Sequence, residues 1–105
     1  MKLISAVIRP KSVTRLASML RKANVPGLTV LKAQGFGREF KAADVEMVGI
    51  LTEKAKVEIA VDDKDLDRVV KLVYDAVGTG REGDGIIFVF DLVSVTRIEA
   101  TESEE

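Results

Sequence analysis

Two glycine-rich stretches carry most of the chemistry this sequence can offer. The longer runs Gly78-Thr79-Gly80-Arg81-Glu82-Gly83-Asp84-Gly85. Its first six residues match G-x-G-x-x-G by letter, but they follow a helical pattern and precede an apolar strand. A dinucleotide fold needs the reverse order, strand then helix, so that fingerprint does not apply. What the stretch does offer is backbone. Glycines let successive N–H groups converge on an anion because no Cβ stands in the way. A plain helix-to-strand loop uses the same residues. The shorter stretch is Gly35-Phe36-Gly37-Arg38, where open backbone beside a guanidinium suits phosphate recognition. A β-bulge at a strand exit explains those glycines equally well. Lys54, Arg81 and Arg97 are further cations that can meet an anion, although most such side chains are simply solvated.

Between the second stretch and Lys54 lies a different resource. Residues 39–53 hold Val45, Met47, Val48, Ile50 and Leu51 among charged neighbours, with no clean period. Compact domains rarely keep a connection longer than about 15 residues unless it has a task. The apolar residues can meet a partner protein, or they can pack locally as a strand extension.

Several chemistries are excluded by what is missing. The chain has no histidine, which removes the commonest general base and transition-metal ligand. It has no cysteine, so neither a disulfide nor a thiolate zinc site can form. Asp62, Asp63, Asp65 and Asp67 crowd the start of an expected helix, where capping and the helix dipole account for them. No calcium loop of the D-x-D-x-D-G type is present. Sixteen basic residues nearly balance 17 acidic ones, for a net charge of −1, which does not suit a nucleic-acid binder. Met1 to Pro10 is too short for a signal peptide and is interrupted by Arg9. No apolar run approaches the roughly 20 residues of a membrane span. A soluble cytoplasmic protein is the expectation.

The elements that must position these residues follow from periodicity. Lys2 to Arg9 reads as a strand stopped by Pro10. Ser12 can cap a helix that places Val13, Leu16, Leu20 and Ala23 on one side. Asn24 to Gly27 turns the chain into a second strand, Leu28 to Ala33. After the excursion, Val57, Ile59 and Val61 alternate with Lys56, Glu58 and Ala60 as a half-buried strand that starts near Ala55. Asp62 or Asp63 can cap the next helix, whose inner face is Leu66, Val69, Val70, Val73 and Val77. Gly78 ends it, and Ile86 to Phe90 forms an apolar strand. Val93 to Ile98 can add a short final strand. The order βαβ-loop-βαβ predicts an α+β, ferredoxin-like βαββαβ sandwich with two helices on one sheet face. The opposite face needs a cover, which an oligomer can supply.

Taken together these pieces resemble the PII signal-transduction proteins, the nitrogen-regulatory family. The resemblance runs from Met1 to about Ala100. It rests on Gly27-Leu28-Thr29-Val30, Gly35-Phe36-Gly37-Arg38, Lys56-Val57-Glu58-Ile59 and Thr79-Gly80-Arg81-Glu82-Gly83-Asp84-Gly85-Ile86-Ile87-Phe88-Val89. It implies one domain over 1–100 followed by an acidic tail, 101–105. It also implies a homotrimer with adenine nucleotide (ATP, ADP or AMP) in the clefts between subunits, and no permanent cofactor or metal. The excursion, 38–54, corresponds to the family's T-loop, which docks onto transporters and metabolic enzymes. Residues 78–85 correspond to its B-loop. By position, Thr29 and Gly37 lie near base and ribose, while Arg38, Gly83, Asp84, Gly85 and Arg97 surround the phosphates.

The sequence also departs from the family pattern. The excursion is about four residues shorter than usual and lacks the tyrosine that many members carry at its tip. Glu39 replaces a glutamine that helps hold magnesium and 2-oxoglutarate. Ile86 replaces a phosphate-binding lysine, and Glu99 a phosphate-binding arginine. A like-charge contact near a protein surface at ~4 Å costs a few kcal/mol before screening. Tight Mg-ATP binding with 2-oxoglutarate is therefore expected to be lost. Two other readings of the fold are a CutA-like structural or metal-tolerance trimer and an acylphosphatase-like enzyme. The first lacks histidine and cysteine. The second lacks a placed asparagine, since Asn24 sits at a helix end.

Overall fold

A computed structural model describes residues 1–36, 51–81 and 83–99. The chain runs β1 (Lys2–Ile8), a 3-10 turn (Pro10–Ser12), α1 (Val13–Lys22) and β2 (Thr29–Gly35). It resumes with β3 (Thr52–Val61), a second 3-10 turn (Asp63–Asp65), α2 (Leu66–Val77) and β4 (Gly85–Asp91). The four strands form one antiparallel sheet in the order β2-β3-β1-β4. This is the expected βαββαβ sandwich, with both helices on one face.

Alternation decides which side each strand residue takes. Ile4, Ala6 and Ile8 of β1 and Ala55, Val57, Ile59 and Val61 of β3 point to the helices and are buried. Leu16 and Leu20 of α1 and Val69, Val73, Ala76 and Val77 of α2 meet them. The 3.6-residue spacing of those side chains is what makes each helix bury one stripe.

The helix ends differ from the capping expected of the sequence. Ser12 occupies the N-cap of α1 but makes no side-chain cap bond. A 3-10 turn precedes the helix, closed by the Ser12 N–H donating to the Arg9 carbonyl at 3.0 Å. Asp65, not Asp62 or Asp63, is the N-cap of α2, again without a side-chain bond. At the far end of α1, Asn24 adopts a left-handed φ of 61°. Its N–H reaches the Arg21 carbonyl at 3.1 Å and the Val25 N–H reaches that of Leu20 at 3.0 Å. That pair of bonds satisfies carbonyls the helix leaves open and tucks Val25 into the core.

Two strand limits also shift. β2 continues to Gly35 and β3 begins at Thr52, because Gln34 pairs with Glu53 and Gly35 with Thr52. Thr52 Oγ1 adds a bond to the Gly35 carbonyl at 3.0 Å. Residues 52–54 of the expected excursion therefore belong to the sheet. The final strand expected over Val93 to Ile98 does not form; those residues follow β4 without regular structure.

Among the described residues no helix lies over the other sheet face. Register places Leu3, Ser5 and Val7 beside Phe90, Phe88 and Ile86 on this side, with Lys56 and Glu58 across β1. Phe88, Phe90 and Ile86 are about half exposed, at 45%, 51% and 52%. Together with Leu92 the central residues line a shallow concavity of about 600 Å³.

Candidate functional site

The loop between α2 and β4 is fastened by one carboxylate. Oδ1 of Asp84 accepts from Arg9 Nη1 at 2.8 Å and from the Thr79 hydroxyl. Oδ2 accepts from the Thr79 N–H at 2.6 Å and from the Arg81 N–H at 3.3 Å. Arg9 reaches the loop because β1 ends beside the start of β4: Ile8 pairs with Gly85. The Thr79 bonds chiefly, then the Arg81 N–H and the Arg9 charge, hold the Asp84 carboxyl at a pKa of about 2. Asp84 is thus an ionised framework residue of the loop, its oxygens taken up by four donors.

Backbone shape does the rest. Gly83 has a φ of 86°, a conformation that L side chains rarely adopt. At Gly85 a Cβ would lie 2.6 Å from the Val7 carbonyl oxygen, and φ is 150°. Glycine alone lets the loop enter β4 so close to β1.

The expected site residues fall into two groups. Gly83, Asp84 and Gly85 lie at the β4 edge of the sheet. Thr29 opens β2 at the opposite edge, in the row Thr29–Glu58–Ser5–Phe88. Three strand spacings separate those edges, about 14 Å. A single chain therefore does not bring Thr29 and the glycine loop together. Arg97 is exposed, beyond β4, in a stretch where Val93 and Ile98 are fully uncovered. Arg81 is exposed, with its N–H on Asp84. Lys54 is half-buried on β3. Leu51 is half exposed at the foot of the excursion. Gly37, Arg38, Glu39, Val45, Met47, Val48 and Ile50 lie outside the described residues. Ile86 shows its side chain to the uncovered face with Phe88, and Glu99 is exposed.

Arg9 is the participant that sequence reasoning missed. Read from the chain, it only closes a strand before Pro10. The signal is its place in the β1–β4 ladder, 75 residues from its partner. The excursion leaves the sheet at this same end: Lys32 shares a row with Ala55, Ile8 and Gly85, and Gly35 and Thr52 lie beyond it.

Known proteins match this chain along its whole length. The profile of the family described as Nitrogen regulatory protein P-II covers residues 1–102. The chain belongs to that family. Nitrogen regulatory protein GlnK of Escherichia coli K12 is 36% identical over 109 residues, spanning 100% of this chain and 97% of the relative. Nitrogen regulatory protein P-II of Pasteurella multocida is 35% identical over 111 residues, with the same shares. That of Rhizobium meliloti is 35% identical over 107 residues, spanning 98% and 96%. P-II proteins are regulatory signal transducers rather than enzymes, and they bind adenine nucleotides as effectors. Membership selects the PII reading over the CutA-like and acylphosphatase-like ones. Among the described residues no helix is long and apolar enough to cross a membrane.

Proposed function

We propose that this P-II protein is a cytoplasmic homotrimer that senses an adenine nucleotide at its subunit seams and reports it to a partner enzyme or transporter. Residues 1–100 act as one domain. The β2 edge of one subunit, with Thr29 and Gly37, faces base and ribose. Arg38, Gly83, Gly85 and Arg97 face the phosphates, and Asp84 holds the loop that presents Gly83 and Gly85. Residues 39–53 dock onto the partner through Val45, Met47, Val48, Ile50 and Leu51. Ligand occupancy shifts the populations of that excursion by its differential affinity for them.

The observation that carries this reading is the fastened glycine loop at the sheet end from which the excursion departs. A loop whose backbone these bonds already fix meets an anion without a further ordering cost. The separation of Thr29 from that loop supports a shared site, completed by a neighbouring copy. The uncovered Phe88–Phe90 face and the exposed Val93 and Ile98 supply apolar surface for the neighbour. Glu39, Ile86 and Glu99 favour ADP or AMP, with fewer charges to neutralise, over tight Mg-ATP with 2-oxoglutarate.

Isothermal titration with ATP, ADP and AMP, each with and without magnesium and 2-oxoglutarate, tests the effector. Binding of ADP or AMP at least as tight as that of Mg-ATP is expected. Sub-micromolar Mg-ATP affinity enhanced by 2-oxoglutarate refutes the selectivity, and no binding of any nucleotide refutes the sensor. Removal of 39–53 is expected to abolish partner capture and leave the oligomer intact.

A further inference from the structure

Charge is sharply divided along this chain. The first 38 residues contain eight of the 16 cations and no carboxylate, so all 17 carboxylates fall in the remainder. In the fold this places Lys11, Arg15, Arg21 and Lys22 on α1 and the turn before it, all exposed. Among the described residues none of the four is ion-paired. The charges of α2 are arranged differently. Lys71 meets Asp75 at 2.9 Å and Arg68 meets Asp65 at 3.4 Å.

Helix stability accounts for only two of the four α1 cations. Arg21 and Lys22 suit the negative end of the helix dipole. Lys11 and Arg15 stand at the positive end, where cations are unfavourable and no acidic residue offsets them. Lys11, Arg15, Ser18 and Lys22 recur at i, i+4, i+7 and i+11, one stripe opposite the buried Leu16 and Leu20. Thr14, Ala17, Ser18, Arg21 and Lys22 border a shallow groove of about 620 Å³ beside it.

The neighbouring helix decides what kind of anion fits. α2 packs alongside α1, and Arg68 Nη1 donates to the Ala23 carbonyl at the end of α1 at 3.1 Å. Helix axes in contact lie about 8–10 Å apart. α2 and its leading turn hold Asp62, Asp63, Asp65, Asp67 and Asp75 against three cations. A wide anionic surface, such as a bilayer or a nucleic-acid duplex, meets both helices and is repelled by the second. The large apolar side chains Leu16 and Leu20 of α1 are buried in the core, and what the groove shows of Val13 and Ala17 is too small and too shallow to insert into lipid. A narrow ligand can follow α1 alone.

We propose that the outer face of α1 is a docking surface for a narrow acidic segment of a partner protein, a single helix presenting carboxylates over about 16 Å. This face lies across the molecule from the uncovered sheet surface, so it remains open when that surface is covered. It is separate from the nucleotide reading and does not depend on it.

The probe is a labelled alanine-glutamine helix with glutamates at i, i+4, i+7 and i+11, followed by fluorescence anisotropy on the full chain. A permuted peptide of equal charge is the control. The patterned helix is expected to bind about tenfold tighter than the permuted one. Arg15→Glu with Lys22→Glu should abolish the difference, while Arg15→Lys with Lys22→Arg retains it. Lys64→Glu with Lys71→Glu, on α2 and its leading turn, should leave it intact. Equal binding of both peptides overturns the proposal, as does indifference to the α1 charge reversal. Stronger competition by phosphatidylglycerol vesicles or duplex DNA, at matched charge, overturns it in favour of those ligands. A rise of about tenfold in peptide affinity on Glu102→Gln, Glu104→Gln and Glu105→Gln together assigns the stripe to the chain's own tail instead.

Discussion

Phe88→Glu separates a subunit that stands alone from one that covers its sheet face with copies of itself. Phe88 is 45% exposed in the single chain and sits mid-strand on the open face, paired with Ser5. A fully buried aromatic side chain hides about 150–250 Å². About 90 Å² of Phe88 therefore remains to be buried by a neighbour. At about 25 cal/mol per Å² this is worth about 2 kcal/mol per subunit. Three subunits lose about 6 kcal/mol, or about four powers of ten in the assembly constant. A carboxylate placed in the seam adds a desolvation cost in the same direction. The rest of Phe88 is already covered within its own chain, so the variant also loses packing there; in an isolated subunit that loss lowers fold stability and leaves sedimentation unchanged. Sedimentation velocity over a concentration series reads the assembly, and far-ultraviolet circular dichroism reads the fold. The expected result is a trimeric parent and a folded, dissociated variant. A parent that sediments as a single subunit refutes the reasoning, and so does a variant that assembles as well as the parent.

Two other perturbations address the glycine loop. Asp84 has its pKa lowered to about 2 from 3.8, so its contribution to stability is complete above pH 4 and is lost as pH falls toward 2. Asp84→Asn should lower the melting temperature at pH 7, and the gap to the parent should narrow below pH 4 and nearly close by pH 2; a gap undiminished at pH 2 contradicts the ionised hub. Gly85→Ala places a Cβ 2.6 Å from the Val7 carbonyl at a φ of 150°, and should destabilise by about 2 kcal/mol or more in urea unfolding.

Periodicity made the two halves of the sandwich legible. Val57, Ile59 and Val61 alternate into the core, and the α2 stripe buries as its spacing predicts. What eluded the sequence was set by pairing at a distance. Thr52 to Lys54 have no strand pattern of their own; they are extended because Ala33, Gln34 and Gly35 offer them a ladder. The same holds at the loop. The glycines advertise a turn, but nothing local says that the Asp84 carboxylate is held by Arg9 and by Thr79 behind it. Ser12 stands at the α1 N-cap as its type suggests but makes no side-chain cap bond, and the α2 cap falls on Asp65 because a 3-10 turn intervenes after Asp62. The separation of Thr29 from Gly83 was invisible too, since strand order is a property of the whole sheet.

The Gly35–Thr52 pair has a consequence for how this protein can diversify. The two feet of the intervening segment are stapled side by side by the sheet itself. The scaffold's register is therefore indifferent to how many residues the segment holds. Lengthening a flexible closed loop twofold costs only about 0.6 kcal/mol in chain entropy. The number of residues between Gly35 and Thr52 can therefore change at little cost while the sandwich beneath stays as it is.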